Sequence, residues 1–578
     1  MVENTLYKAF SLISKKQRKR FYLLIFFLFV GMILEAFGIG IILPVLNVIV
    51  SPEGLKQINW VNDFFVTISL TEERDIIFFS LSLLIGVYFF KSLYLVLLSH
   101  YQNRYISFIS SEIYNRLFEN YLKQSFMFHN DRNSAMLIKI FQIELGHVTY
   151  ILTMGGSLIT EIAITISIIT TLLIVEPIGT LFIIVFFLIF GSIFYYFSKK
   201  KALEWGAIRE IIDSNTSKLI TEGLNGISEV ILLGKQPFFK KRLAEYNKTK
   251  VRIHSNQLTL NQIPRYYLEF VSIVSLVGFI LIMIHDNKNV SEIIAVGGVF
   301  VAAIFRVLPS VNRILTSLQQ IKYYASSVDL VSKDLRLTSL FDKNETKNEE
   351  VTFKEQLKFE NISFTYPKGE LAVLDKLDFE LNYGEVIGII GQSGVGKSTL
   401  TNLIVGFLHQ FKGVFTVDGK QIDQSNIVKW RKQLGYVSQH IYLIDDTIQA
   451  NIAFGVELEK VDHERIEMAI KKAQLQAFIQ SLPNKLDTIV GERGTQLSGG
   501  QQQRIGIARA LYHDPKLLIL DEATSALDET TEKNVMNAIE GLKGEMTILI
   551  ITHRLSTLVC CDKIFKVHKG KLVEQTSI

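Results

Sequence analysis

Six apolar stretches in the first 320 residues constrain this chain more than any other feature. They run at approximately 22–50, 76–99, 150–174, 178–198, 266–284 and 292–313. Each is near or above the roughly 20 residues that cross a bilayer as a helix. A membrane protein with a six-helix transmembrane domain is therefore expected in the first half. The total of 578 residues leaves room for at least one further domain. Composition agrees: 48% of residues are hydrophobic, and the 20% that are charged gather outside the apolar runs. A net charge of +5 is too small to point to nucleic acid, and no such partner is expected. The two cysteines, Cys560 and Cys561, lie near the C-terminus and form neither a disulfide framework nor a metal-type spacing.

The basic residues orient the spans. KKQRKR (15–20) precedes the first span and Lys199, Lys200 and Lys201 follow the fourth. The positive-inside rule places both in the cytoplasm. The N-terminus, the long polar connections 100–149 and 199–265 and everything after span six then fall on the cytoplasmic side. The start carries no cleavable-signal pattern, so its basic cluster reads as the flank of an anchored helix. Glu176-Pro177 and HDNKN (285–289) read as hairpin turns. On the outer side, Ile58, Val61, Phe65 and Ile68 within 54–70 follow a helical period. They read as a short helix lying on the membrane, or as a loop with scattered apolar residues.

Beyond residue 320 the pattern changes. The polar run TSLFDKNETKNEE (338–350) reads as linker, and from Val351 short β-type runs alternate with helical ones. That alternation predicts an α/β domain with a largely parallel sheet. The expected division is a transmembrane domain over 1–320, a linker over 321–350 and an α/β P-loop nucleotide-binding domain over 351–578.

GQSGVGKST supplies Gly391, Gln392, Ser393, Gly394, Val395, Gly396, Lys397, Ser398 and Thr399, and fits the phosphate-binding loop pattern. It follows the apolar run Val386–Ile390 and opens a helix, the context in which backbone amides and a helix N-terminus hold phosphate. Lys397 then reaches the outer phosphates of ATP, and Ser398 ligates Mg²⁺. A second apolar run, Leu517–Leu520, ends in Asp521-Glu522. Beside a phosphate loop, Asp521 suits a hydrated Mg²⁺ and Glu522 suits a general base toward the attacking water. Taken alone, the pair also reads as solvated acids at a strand end.

With LSGGQ (497–501), Gln439 in YVSQ, SALD (525–528) and His553 in ITHR, this half resembles the nucleotide-binding domain of ATP-binding-cassette transporters. The resemblance covers about 225 residues with every motif in family order. It implies that Tyr366 stacks on adenine, that Gln439 senses Mg²⁺ and water, and that His553 contacts the γ-phosphate. It also implies that Ser498, Gly499, Gly500 and Gln501 face a nucleotide held by a second subunit. One chain carries one complete motif set, so a homodimer is the simplest assembly, and a heterodimer with a similar chain stays open. GERG (491–494) and the turns near 129–133 and 222–228 resemble the segments through which cassettes and cytoplasmic helices of exporters meet. Soluble cassette proteins share the clamp, but six fused spans favour the exporter arrangement. The lack of an N-terminal cysteine disfavours a peptide exporter with an attached protease.

Span six holds Arg306 and Arg313, seven positions apart and so on one helical side. Arg306 falls roughly 20 Å from the outer end at 1.5 Å per residue. Facing lipid, such an arginine costs about 2.5–3.5 kcal/mol on insertion scales, so a wet cavity is the favoured surrounding. Lys91 in span two and Arg265 at the start of span five raise the same question, with snorkelling or pairing to Glu35 or Glu269 as the alternative. Several cations around one cavity suit a pyrophosphate.

EAFGIGIILPVLNVI (35–49), the outer helix, IPRYYLEF (263–270) and FRVLPSVNRI (305–314) together resemble bacterial flippases for lipid-linked oligosaccharides, of the PglK or Wzk type. Lys91 departs from that pattern, where arginine is expected. The resemblance implies ATP-driven movement of a polyprenyl-diphosphate-linked glycan to the outer leaflet of a bacterial inner membrane. Lys91, Arg265, Arg306 and Arg313 would then hold the head group, and membrane lipid would surround the protein. A lipid A or phospholipid exporter and a multidrug exporter are the alternatives.

Overall fold

The computed structural model describes residues 2–41, 45, 73–175, 177–285, 290–337, 350–367, 369–524 and 527–575. The outer helix expected at 54–70 and most of 42–50 lie outside the described residues. Two compact units result, Met1–Leu122 with Arg132–Leu337, and Lys123–Asp131 with Thr338–Ile578.

The first unit is helical. An amphipathic α1 (Val2–Ser11) turns into α2 (Lys15–Gly40), followed by α3 (Glu73–Leu122). After α4 (Phe126–Asp131), which belongs to the other unit, come α5 (Ser134–Lys139), a π-turn (Ile140–Glu144) and α6 (Leu145–Val175). Pro177 opens α7 (Pro177–Asn225), where its missing N–H costs no hydrogen bond. Then α8 (Ile227–Leu232) leads to α9 (Gln236–His285) and α10 (Val290–Tyr323). Five of the described helices are long and apolar enough to span a membrane. The sixth, α10, packs along α6, α7 and α9. Ile168, Phe187, Leu268, Phe279 and Val307 form the buried seam of these four, while Ile85, Phe90, Ile174 and Phe197 face outward.

Both long connections are continuations of the spanning helices. The 50 residues of α3 measure about 75 Å at 1.5 Å per residue, far more than the ~30 Å hydrocarbon core. The linker starts later than its expected position at 321, because α11 (Ala325–Leu335) adds a helix there. Val328 and Val331, three apart, give that helix one buried face.

A buried polar knot ties the extensions together. Lys139 Nζ lies 2.9 Å from Glu144 Oε1, and Ser327 donates to Glu144 Oε2 at 2.6 Å. Arg209 donates to Ser327 at 3.0 Å and stacks its guanidinium over Tyr324. Burial pushes the Glu144 carboxyl up, but hydrogen bonds with His147 and Ser327 and the charge of Lys139 outweigh it and hold it at about 2. Since the folded value lies below the unfolded one, this contribution is complete above pH 4.5 and is lost only as pH falls toward 2. Lys139→Met removes the cation nearest the buried Glu144 carboxylate and is expected to destabilise the unit by about 3–5 kcal/mol. Thermal unfolding of the purified protein checks this, and an unchanged midpoint would refute it.

The second unit holds two sheets. β1 (Gln356–Phe364), β2 (Leu374–Asn382), β4 (Lys412–Val417) and β5 (Lys420–Gln421) form an antiparallel sheet in the order β2-β1-β4-β5. β3 (Val386–Ile390), β6 (Leu434–Val437), β7 (Leu517–Asp521), β8 (Thr547–Ile551), β9 (Lys563–His568) and β10 (Lys571–Glu574) form the other, ordered β10-β9-β3-β8-β7-β6. Its interior pairs, β3 with β8 and β8 with β7, are parallel, as the β/α alternation predicts. The runs VIGII, LLIL and ILII in these strands are apolar throughout because both faces are covered, one by helices and the other by the antiparallel sheet with the helix after the phosphate loop. Trp430 is fully buried, donates from Nε1 to the Ile404 carbonyl, and closes the end of the helix that follows the phosphate loop.

Candidate functional site

Three neighbouring parallel strands of the second unit end at one cavity of about 430 Å³. β3 runs into the phosphate loop and α12 (Lys397–Ile404), β7 ends in Asp521 and Glu522, and β8 leads to His553. Sites at the carboxyl ends of parallel strands follow from the strand–turn–helix geometry. The loop turns through left-handed backbone at Gly394 and Gly396. A Cβ on Gly396 would stand 3.1 Å from Leu374 and 3.2 Å from Val373, so glycine is needed for conformation and for space.

Lys397 Nζ donates to the carbonyls of Gly391 and Gln392 at 2.6 and 3.0 Å and lies 3.1 Å from His553 Nε2. Burial lowers its pKa, and the charges of Glu522 and Asp521 oppose that shift. Gln439 donates from Nε2 to Glu522 Oε2 at 2.7 Å, and His553 Nε2 stands 3.0 Å from Glu522 Oε1. Glu522 has φ of 50°, an uncommon conformation for a residue with a side chain, held by its N–H donating to the Ile551 carbonyl. Asp521 accepts from the Tyr436 hydroxyl at 3.3 Å. Burial raises the Asp521 pKa against the pull of Tyr436 and Lys397.

Ser398, Gln439 and Asp521 therefore offer a hydroxyl, an amide oxygen and a partly buried carboxylate on one wall. Such hard oxygen donors, with an anion that burial disfavours, fit a partly hydrated Mg²⁺. Tyr366 lines the same cavity and hydrogen-bonds Thr399 at 3.2 Å. The LSGGQ segment is not part of the lining. Ser498 caps α13 (Gly499–Tyr512) through a reciprocal box with Gln501, leaving the Gly499 and Gly500 amides without intrahelical partners. Ser525 and Ala526 of the SALD segment lie outside the described residues.

Of the coupling turn expected near 129–133, residues 129–131 end α4 within the second unit, and Arg132 and Asn133 belong to the first. Phe126 stacks on Phe407 at 4.7 Å between centroids, and Met127 packs on the core beneath the antiparallel sheet. The turn expected at 222–228 breaks the helix at Gly226, and Ile231, Leu232 and Leu233 beyond it are exposed.

The membrane cations separate into different surroundings. Lys91 is not an open cavity charge: it is only 5% exposed, and its Nζ lies 2.8 Å from Oε2 of Glu35, itself 1% exposed. Gly38 makes room for the Lys91 ammonium, and the Tyr88 ring covers it. Arg265 is exposed and pairs with Glu269 one helical turn on, at 3.5 Å. Arg313 donates to Glu161 at 2.6 Å, yet 61% of its side chain stays open. Arg306 lies within α10, and its side chain is outside those described. The Arg313–Glu161 pair was not anticipated from sequence, because Glu161 carried no motif.

Comparison with known proteins agrees with both halves. Residues 21–302 match the ABC transporter transmembrane region, and 374–525 match the ABC transporter domain. A Cupriavidus metallidurans protein named ATP-dependent lipid A-core flippase is 30% identical over 475 residues, covering 80% of this chain and 78% of that one. One of the same name from Pseudomonas fluorescens Pf0-1 is 32% identical, over 65% of this chain and 61% of its own length. The Desulfotalea psychrophila protein of that name is 45% identical over 225 residues, 39% of each chain. An ATP-bound bacterial Atm1-family ABC exporter shares the fold with TM-score 0.76 at 23% identity, over 96% of this chain and 94% of that one.

Proposed function

The chain belongs to the ABC transporter family, with a transmembrane region and a cassette fused in one polypeptide, and from that premise we propose that it couples ATP hydrolysis to flipping an anionic, phosphate-bearing lipid across a bacterial inner membrane. Lipid A with its core sugars is the leading substrate class, because the relatives carry that name. This reverses the order drawn from the membrane motifs, which favoured a polyprenyl-diphosphate glycan. The glycan stays as the second reading on the strength of the FRVLPSVNRI and IPRYYLEF stretches.

The observation that carries the lipid reading is Arg313. One guanidinium nitrogen of Arg313 donates to the buried Glu161 carboxylate, yet 61% of the side chain stays exposed and open to a further anion. Its planar fork matches phosphate oxygens. Arg265 would extend that surface, while Lys91 is already answered by Glu35. The head group would otherwise lose its hydration in hydrocarbon, at a cost that prevents spontaneous crossing.

In the cassette, Lys397 and the loop amides bind the phosphates of ATP, and Glu522 orients and deprotonates the attacking water. Bound Mg²⁺, held by Ser398, Gln439 and Asp521, would neutralise charge on the outer phosphates. Ser498, Gly499 and Gly500 of a second copy would complete each site, so the working unit is a homodimer. ATP then favours the closed pair and hydrolysis releases it.

Reconstituted protein separates the readings. Lipid A-core is expected to raise ATP turnover severalfold over phosphatidylcholine, with a polyprenyl-diphosphate glycan weaker. Stronger stimulation by the glycan would restore the second reading, and stimulation by neither would overturn both.

A further inference from the structure

The first unit contains an apolar pocket of about 340 Å³ far from the cassette motifs in sequence, enclosed by α1, α2, α3 and α6. Leu6, Phe10, Ile109, Leu152 and Ile159 line it, and Gln102 is its polar feature. The chain fixes this pocket firmly at the α1–α2 elbow. Arg116 donates to the Leu12 carbonyl at 2.7 Å, Tyr105 to that of Gln17 at 2.9 Å, and Phe10 packs edge-on against Phe21.

Two observations point to a ligand. The first is polar. Gln102 is 9% exposed and lines the pocket. It lies where Gly156 leaves room, since a Cβ there would come 2.4 Å from Gln102 Nε2. At the elbow beside it, Gln17 Oε1 and Arg18 Nε are buried without partners. A buried unpartnered amide is costly unless something else satisfies it.

The second is charge. Lys15, Lys16, Arg18, Lys19 and Arg20 fall between the lining residues Ile13 and Phe21, so the cluster borders the pocket. The Arg18 guanidinium lies 5.4 Å over the ring of Phe10, itself a lining residue. No acidic residue occurs between Glu3 and Glu35 to answer these charges locally. The positive-inside rule puts this elbow at the cytoplasmic face. Basic clusters there attract anionic lipid.

We propose that this pocket is a resident-lipid site. One acyl chain of an anionic glycerophospholipid from the inner leaflet fills it, an ester carbonyl accepts from Gln102, and the phosphate rests on the basic cluster. This lipid is not transported. It anchors the elbow that joins α1 to the first spanning helix, in a place separate from Arg313.

The test uses the full-length protein in nanodiscs with Tyr7→Trp, a conservative reporter at the exposed rim of the pocket. Its emission is measured against the parent chain, which has three tryptophans of its own. Phosphatidylglycerol with brominated chains is expected to quench saturably, at a mole fraction roughly tenfold lower than brominated phosphatidylcholine. Replacing the exposed Lys15, Lys16 and Lys19 together by glutamine should abolish that preference. Gly155→Leu, which fills the pocket, should remove saturable quenching by both lipids. If Gly155→Leu does not fold, the lysine variant decides alone. Equal quenching by the two lipids, or a preference that survives the lysine changes, would overturn the proposal. So would displacement of the brominated lipid by stoichiometric lipid A-core or polyprenyl-diphosphate glycan, which would give the pocket to the cargo. ATP-driven flipping is scored in parallel, so failure here leaves the proposed transport standing.

Discussion

Glu522→Gln is expected to lower ATP hydrolysis by roughly 10²–10⁴-fold, the range typical of losing a general base, while ATP still binds. The substitution keeps shape and removes only the carboxylate that accepts the proton. Glu522 is held from three sides: Gln439 donates to one oxygen, His553 stands by the other, and the backbone is pinned to Ile551 at a φ of 50°. A residue kept in that conformation, at the end of an apolar strand, has a position that packing alone does not require. Phosphate release measured beside retention of labelled ATP gives the result. With hydrolysis blocked, ATP should hold two chains together, so the variant should also run as a tighter dimer when ATP is present. Turnover within about twofold of the parent would move the base elsewhere, with His553 the next residue to change.

The cassette was readable from sequence because its chemistry is local. Gly391 to Thr399 sit between a strand and a helix they themselves help define, and Asp521-Glu522 end a strand that neighbours it only across β8. Each motif announces its own turn, and the parallel sheet then brings the strand ends together. The membrane half offered less. Hydropathy gives the length of a span but not its rotation, and rotation decides whether a cation meets lipid, water or an acid. Lys91 illustrates the limit: its partner Glu35 lies on another helix, and only packing shows that Gly38 and Tyr88 close around the pair. The knot around Glu144 was equally hidden, since Lys139, Arg209 and Ser327 come from separate segments. The boundary after span six was misplaced for a simpler reason. Apolar content drops after residue 315, but helical periodicity continues through Val328 and Val331 to Leu335.

Arg313→Ala should abolish substrate-stimulated transport while leaving basal ATP turnover within about twofold. The argument rests on what the arginine already has. Glu161 is nearly buried and takes one nitrogen of the guanidinium, which leaves the remaining donors of the fork free to meet a phosphate. Removing it costs the head group a charge-assisted contact, about 1.5–3 kcal/mol for a hydrogen bond to a charged group, or roughly one to two orders of magnitude in affinity. It also leaves Glu161 without its cation, so Glu161→Gln with Arg313→Ala is the control for lost packing of α6 on α10. If the double variant regains folding but not transport, the guanidinium acts on the lipid. If it regains transport, Arg313 serves only to neutralise Glu161, and the head-group surface must be sought around Arg306 and Arg265. Arg313→Lys separates charge from geometry: the ammonium keeps the sign but loses the fork, so stimulation should fall partway for a phosphate-bearing head. Stimulation unchanged in Arg313→Ala and Arg306→Ala alike would remove the basis for an anionic cargo and return the chain to the alternatives with neutral amphiphiles.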